Sequence, residues 1–259
     1  MNSKVNYKAL ILAAGRGSRL GKIGEDRPKC LVELSGKPLL EWQLKAIRES
    51  RINQIAIVTG FKGEQLSRPE ITYFSNPRWS ETNMLRSLFS ASSWFDSPVI
   101  VSYSDIVYGH ETLNPLINCN DDIAIVYDKD WLKLWKLRFE NPLDDAESFR
   151  ISDAGKLIEI GNKPLSTNEI QGQYMGLLRI SPNGLNIIKK ITSSLKEEEI
   201  DKLHMTGLLN LCINNKIPIA AYPNFSTWFE VDSESDLNIY QKVIKNSNFN
   251  GDPSYKWLS

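Results

Sequence analysis

At 259 residues with 41% hydrophobic content the chain can bury a full core, and 31 Lys plus Arg against 31 Asp plus Glu leave a formal net charge of zero. That balance argues against a dedicated nucleic-acid binder, which carries a basic excess. No apolar run approaches the roughly 18 residues of a membrane span, so no membrane insertion is expected. The apolar stretch at 9–14 is too short for a secretory leader. Cys30, Cys119 and Cys212 lie far apart and form no CxxC pair, which speaks against a disulfide framework and for a reducing cytoplasm. His110 and His204 are the only histidines, so chemistry falls to carboxylates, Lys, Arg and a borrowed metal.

Residues 7–12 (YKALIL) read as a buried strand that runs into the turn AAGRGSRL. An amphipathic helix follows over 38–49, with Pro38 in its first turn. Strands at 54–59, 71–75, 98–104 and 122–127 then alternate with helices at 83–95 and 111–118. Such alternation predicts an α/β fold with a mostly parallel sheet covered on both faces. The pattern loosens from 131. FRISDAGKLIEIG (149–161) reads as a hairpin around Asp153-Ala154-Gly155, 173–181 as a strand, 182–215 as two helices and 217–222 as a strand. A short strand, WFEVD (228–232), and a closing helix over 233–246 complete the series. No repeat or linker divides the chain. It reads as one domain, 1–259, with an inserted lid-like subregion at about 128–172.

In open α/β sheets ligands bind beyond the carboxyl ends of the strands, which makes the turn after the first strand the first candidate site. Gly15 and Gly17 admit positive φ and close approach of a ligand. Successive N–H groups there would form an anion nest, with Arg16 and Arg19 adding charge. The dinucleotide fingerprint fails, because position 20 is Leu and the second strand ends in Val58-Thr59-Gly60 without an acid. A Walker A pattern is absent near the turn. A triphosphate cradle is the preferred reading and a plain structural turn the lesser one.

LAAGRGSRL followed by RPKCLVELSGKPLL, then SYSD (102–105), GNKP (161–164) and WFEVD (228–232), resembles the signature of nucleotidyltransferases that join a nucleoside monophosphate to a phosphorylated small molecule. The resemblance implies a Rossmann-like GT-A fold, a mixed but mostly parallel central sheet flanked by helices with a small lid or acceptor-binding insertion. It also implies attack of an acceptor phosphate on the α-phosphorus of a nucleoside triphosphate, catalysed chiefly by positioning and electrostatics. Leu12, Ala13, Ala14, Gly15, Arg16, Gly17, Ser18 and Arg19 would wrap the nucleotide, with Ser104 and Asp105 beside them. Arg19, Lys29 and Lys163 form the expected catalytic set. Lys29 would meet the triphosphate and Lys163 the acceptor phosphate, against the plain alternative of solvated surface lysines. By the same resemblance Asp105 and Asp232 would hold Mg²⁺; helix capping is the structural alternative for each.

NPRWSETNMLRSL (76–88) resembles a segment of the cytidylyltransferases that act on phosphocholine and 2-aminoethylphosphonate. Asn83 would face the base or ribose, with capping an equal alternative, and Met84 stands where many relatives carry a second Asn. Trp131 and Trp135, four apart, share a helix face. With Asp144, Asp145 and Glu147 they would surround a cationic head group, although core packing is the stronger reading of the tryptophans. Tyr174 and Glu230 complete the acceptor set, and His204 is a structural residue or a substrate neighbour. After Asp232 no hexapeptide repeat follows, which favours the compact members. The expectation is a Mg²⁺-dependent cytidylyltransferase using CTP and a phosphocholine-, aminoalkylphosphonate- or phosphoramidate-type acceptor, a homodimer being allowed for. A sugar-1-phosphate uridylyl- or thymidylyltransferase and an inactive nucleotide-binding regulatory subunit stay open as alternatives.

Overall fold

A computed structural model describes residues 6–250; the single-domain span of 1–259 extends past them at both ends. Seven strands form the central sheet in the order Ala220–Asn224, Ile123–Asp128, Gln173–Ile180, Val99–Tyr103, Lys8–Ala13, Gln54–Thr59 and Thr72–Ser75. Every neighbouring pair is parallel except the two made by Gln173–Ile180, which runs antiparallel. KALILA is buried at all its positions, as a strand covered on both faces requires.

Register aligns the strand ends that matter. Ala13 pairs with Thr59 and Leu12 with Tyr103, so the glycine turn and the Ser104-Asp105 loop leave adjacent strands at the same edge. Beside the sheet, Phe149–Ile151 pairs with Leu157–Ile160 in the expected hairpin, whose Gly155 has φ +69°. A ribbon joins Ile106–Tyr108 to Trp228–Glu230.

Several element boundaries differ from the sequence reading. Pro38 precedes the helix Leu39–Glu49, because it is spent in a two-residue ribbon with Glu33. The helix predicted over 83–95 is Met84–Ser90 followed by a 3₁₀ turn at Ser92–Trp94. The one at 111–118 is a 3₁₀ turn, His110–Leu113, leading into Asn114–Asn118. Two helices across 182–215 become three: Pro182–Thr192, Glu197–Lys202 and Met205–Asn214. Each is started by its own cap: Ser181 accepts from Gly184 N–H, Glu199 from Lys196 N–H, and His204 from Gly207 N–H. The strand at 217–222 begins only at Ala220, since Ile217 N–H still closes the preceding helix on the Cys212 carbonyl.

Candidate active site

Only one of the two turn glycines uses the conformation expected of both. Gly17 has φ +68°, and a Cβ there would lie 2.9 Å from Lys29 Cβ. The glycine therefore lets the lysine stem pass directly beneath the turn. Gly15 is not left-handed, and a Cβ on it would face open space. Its lack of a side chain leaves room above the turn.

Lys29 is buried, and its ammonium lies 2.7 Å from Asp105 Oδ2 and 2.6 Å from Asp232 Oδ1. Burial by itself would lower the lysine's pKa, but the two carboxylates outweigh it and hold the group above its ordinary value. Burial likewise would raise Asp232, and the cations around it, Lys29 foremost, hold it low. Arg19 Nη2 adds a contact to Asp232 Oδ1 at 3.0 Å from a mostly exposed position.

Secondary structure explains how carboxylates so far apart in sequence meet. The ribbon pairs Glu230 with Ile106, and Val231 N–H donates to the Asp105 carbonyl at 2.8 Å. Asp105 is thereby fixed against the segment that carries Asp232. From behind, the fully buried Gln43 donates Nε2–H to the carbonyls of Tyr103 (2.7 Å) and Ile106 (2.6 Å), which bracket Asp105. Arg138, on the helix Leu132–Arg138, contacts Glu230 at 2.6 Å, Asp232 Oδ2 at 3.1 Å and Asp236 at 3.1 Å. Its guanidinium stays charged in spite of burial because of those acids. Asp236 in turn accepts the Asp232 and Ser233 N–H groups.

Among the described residues no group of three or more His, Cys, Asp or Glu forms a metal cage. Mg²⁺ needs only one or two carboxylates where substrate phosphates supply the remaining oxygens. The buried Asp105 Oδ1 has no hydrogen-bond partner, and a carboxylate pair with one open oxygen fits that ion.

Leu12, Ala14, Gly15, Gly17, Ser18, Arg19, Lys29, Asn83, Ser104 and Asp105 line one cavity of about 270 Å³. Ala13 is buried in the sheet and off its wall. Arg16 is also off the wall, its guanidinium 5.6 Å over the Phe61 ring. Trp79, Ser87 and Tyr103, which carry no sequence signal of a site, line the cavity as well. Asn83 is both a cap, accepting from Met84 N–H at 2.8 Å, and part of the wall. Its own N–H donates to the Asp201 carbonyl at 2.7 Å, and Asp201 binds both Arg78 and Arg86.

A second cavity of about 270 Å³ is lined by Trp135, Tyr174, Glu230, Asp145, Glu147, His204, Thr206 and Gln173, among others. Arg19, Met84, Tyr103 and Asp232 belong to both walls, so the two cavities meet at the charged cluster. Asp144 is exposed and bonded to Asn141 instead, because Asp145 is the residue turned inward, accepting from Trp135 Nε1–H at 3.1 Å. Trp131 lies behind Trp135, ring centroids 5.8 Å apart, as core packing requires. Lys163 is exposed and lines a neighbouring cavity with Arg150 and Glu159; Ser148 is common to that cavity and the second one. Burial pushes the carboxyls of Asp145 and Glu147 above their ordinary range, and Asp145 adds to the effect on Glu147. Glu230 is raised by burial and by the Asp232 charge.

Gln43 and Arg138 were not legible as site residues. Gln43 carries one weak signal, a polar side chain on the apolar face of an amphipathic helix. Arg138 carries none, since its partners lie in a distant part of the chain. Next to the Leu85 N–H bond to the Leu203 carbonyl, His204 sits at the start of a helix and not inside one.

Residues 9–152 match the family described as MobA-like NTP transferase domain. The CTP:phosphoglutamine cytidylyltransferase of Campylobacter jejuni is 34% identical over 248 residues, covering 89% of this chain and 98% of that protein. The choline-phosphate cytidylyltransferase of Streptococcus pneumoniae is 23% identical over 264 residues, covering 93% and 100%. Among solved structures, the inositol-1-phosphate CTP transferase from T. maritima superposes with a TM-score of 0.74 at 14% identity, covering 94% of this chain and 98% of that one. This last likeness is one of fold.

Proposed function

The chain belongs to the family of MobA-like NTP transferase domains and is a nucleotidyltransferase, and on that premise we propose that it transfers CMP from CTP to a small acceptor of the phosphoglutamine type, releasing pyrophosphate. The observation that carries this reading is the Lys29 ammonium held between Asp105 and Asp232 where the two cavities meet. The relative of 34% identity and near-complete coverage supports the choice of CTP and of an amide-linked phosphate as acceptor.

In this reading CTP lies in the cavity beneath the glycine turn, with its base or ribose toward Asn83. An acceptor phosphoryl oxygen attacks the α-phosphorus as the bond to the β-phosphate breaks, and pyrophosphate leaves with the electron pair. The attacking oxygen is already anionic, so no side chain is asked to remove a proton. Lys29 and Arg19 offset the charge of the phosphates, which is worth most in a site shielded from water. Lys163, whose cavity adjoins the acceptor side at Ser148, supplies the cation for the acceptor phosphate. Asp105 and Asp232 would hold Mg²⁺, which supplies further charge neutralisation at the α-phosphate. The raised carboxyls of Asp145 and Glu147 gain from an acceptor that brings an ammonium to them.

The test is pyrophosphate release with CTP, UTP, dTTP, GTP and ATP against phosphoglutamine, phosphocholine, 2-aminoethylphosphonate and sugar 1-phosphates. Turnover with CTP and phosphoglutamine is the expected result. Turnover confined to UTP or dTTP with a sugar phosphate would overturn the substrate assignment and keep the chemistry.

A further inference from the structure

The second cavity has a wall rich in carboxylates: Asp145, Glu147, Glu230 and Asp232. Such a wall suits an ammonium and repels any second anion an acceptor carries besides its phosphoryl group. The donors on this wall are unevenly placed: Arg19 lies at the charged cluster, where its Nη2 contacts Asp232, and Tyr103, Tyr174, Ser148 and Thr206 offer hydroxyls. The Trp135 indole N–H is spent on Asp145, and the Gln173 amide N–H₂ on the carbonyls of Glu147 and Gly172.

His204 is different, and its tautomer can be read from its partners. Nδ1 accepts the Gly207 N–H at 3.1 Å and lies 2.8 Å from the Thr206 hydroxyl. An Nδ1 that accepts a backbone N–H has its lone pair available, so the proton of the neutral ring resides on Nε2. Nε2 makes no hydrogen bond among the described residues, and the imidazole, an exposed side chain, lines the mouth of the cavity. The helix cap thus fixes the orientation of a neutral N–H donor on the wall that also carries Asp145 and Glu147.

We propose that His204 determines acceptor specificity: its Nε2–H receives a carboxylate of the acceptor, while the Asp145 and Glu147 side of the same cavity receives an ammonium. The site then takes a zwitterionic amino acid phosphorylated on its side chain in preference to a phosphorylated amine. This rests on the cytidylyltransferase reading above and narrows its acceptor class. A hydrogen bond to a charged group is worth about tenfold or more in affinity, which sets the expected discrimination.

The test compares phosphoglutamine with its decarboxylated analogue, identical but for the α-carboxylate, at saturating CTP. Wild-type enzyme should show a KM at least about tenfold lower for phosphoglutamine. His204→Ser keeps a capping oxygen for Gly207 but has no donor of that reach. Its KM for phosphoglutamine should rise toward that of the analogue, with the analogue's KM, kcat and the thermal melt unchanged within about twofold or a few degrees. His204→Asn, which caps and retains an N–H₂ group, should fall between the two. A preference retained in His204→Ser would overturn the proposal. So would equal weakening of both acceptors, or a lowered melting temperature with no change in the ratio, since each assigns His204 to the helix alone. Failure of the underlying reading looks different: wild-type enzyme would release no pyrophosphate from CTP with either compound and would do so with a phosphocholine or sugar phosphate, and the specificity assignment would fall with it.

Discussion

Lys29 Nζ approaches Asp232 Oδ1 to 2.6 Å inside the protein, and the same ammonium reaches Asp105 Oδ2 at 2.7 Å. One cation therefore separates two carboxylates that would otherwise repel. Replacing Lys29 by Met leaves both acids facing each other, and stability should fall by about 3–5 kcal/mol, as for a broken buried ion pair. Asp105→Asn removes a charge but keeps the shape. That variant should stay folded by urea titration and lose at least about 10²-fold in pyrophosphate release. An active Asp105→Asn enzyme would remove Asp105 from the chemistry.

Gln43 acts on the same carboxylate through the backbone. Gln43→Leu is close in volume, yet it removes the side-chain donor of the Ile106 carbonyl and leaves the Tyr103 carbonyl with the Ser102 hydroxyl at 2.9 Å. The buried Ile106 carbonyl left without that donor costs about 1–3 kcal/mol, to be read as a shift in the urea midpoint. Because the loop bearing Asp105 loses its brace, kcat should drop further than KM for CTP rises. Equal effects on the two would point to stability alone.

Trp135 serves as packing and as a donor, and two substitutions separate the roles. Trp135→Ala opens a cavity beside Trp131 and Trp228 and should cost about 3–5 kcal/mol. Trp135→Phe keeps most of the ring but releases Asp145. It should remain within about 2 kcal/mol of wild type, with a raised acceptor KM and an unchanged KM for CTP. If CTP and acceptor constants rise together, the two cavities are coupled through this side chain.

Glu147 makes a pH prediction with a definite sign. Its carboxyl titrates above the ordinary 4.5 because it is buried and lies near Asp145. The native state thus keeps this proton to higher pH than the unfolded chain does, and native stability falls as pH rises from about 4.5 through the native value. Glu147→Gln does not titrate. At pH 7.5 its Tm should exceed that of wild type, with the gap closing below pH 4.5. The same variant should bind an ammonium-bearing acceptor more weakly, so stability and function trade against each other.

How much of this was legible in the sequence depends on how local each signal is. Alternating apolar runs specify the sheet, and the turn chemistry of Gly15, Gly17 and Arg19 marks its ligand-binding edge. Asp105 and Asp232 could be picked out because each ends an apolar strand segment. What periodicity cannot express is pairing across the chain. The meeting of those two acids depends on the register of Ile106–Tyr108 with Trp228–Glu230. Asp145 in place of Asp144 depends on which way one 3₁₀ turn at Pro142–Asp144 releases the backbone. His204 falls inside the helical span 182–215 by pattern because capping is usually the work of Ser, Thr, Asp or Asn, whereas here an imidazole nitrogen is the capping acceptor.

The ribbon that brings Asp105 to Asp232 also fixes when the charged cluster is completed. Its two halves are separated by more than a hundred residues, and contacts of such sequence separation are slow to close. A nascent chain can lay down the strands Lys8–Ala13, Gln54–Thr59 and Val99–Tyr103 and still lack half of its charged cluster. Only after Trp228–Glu230 has emerged and docked are both acids supplied to Lys29. On the roles proposed for Asp105 and Asp232, a chain that stops just short of that point should lack activity, and activity gained during synthesis or refolding should report the arrival of the last strand.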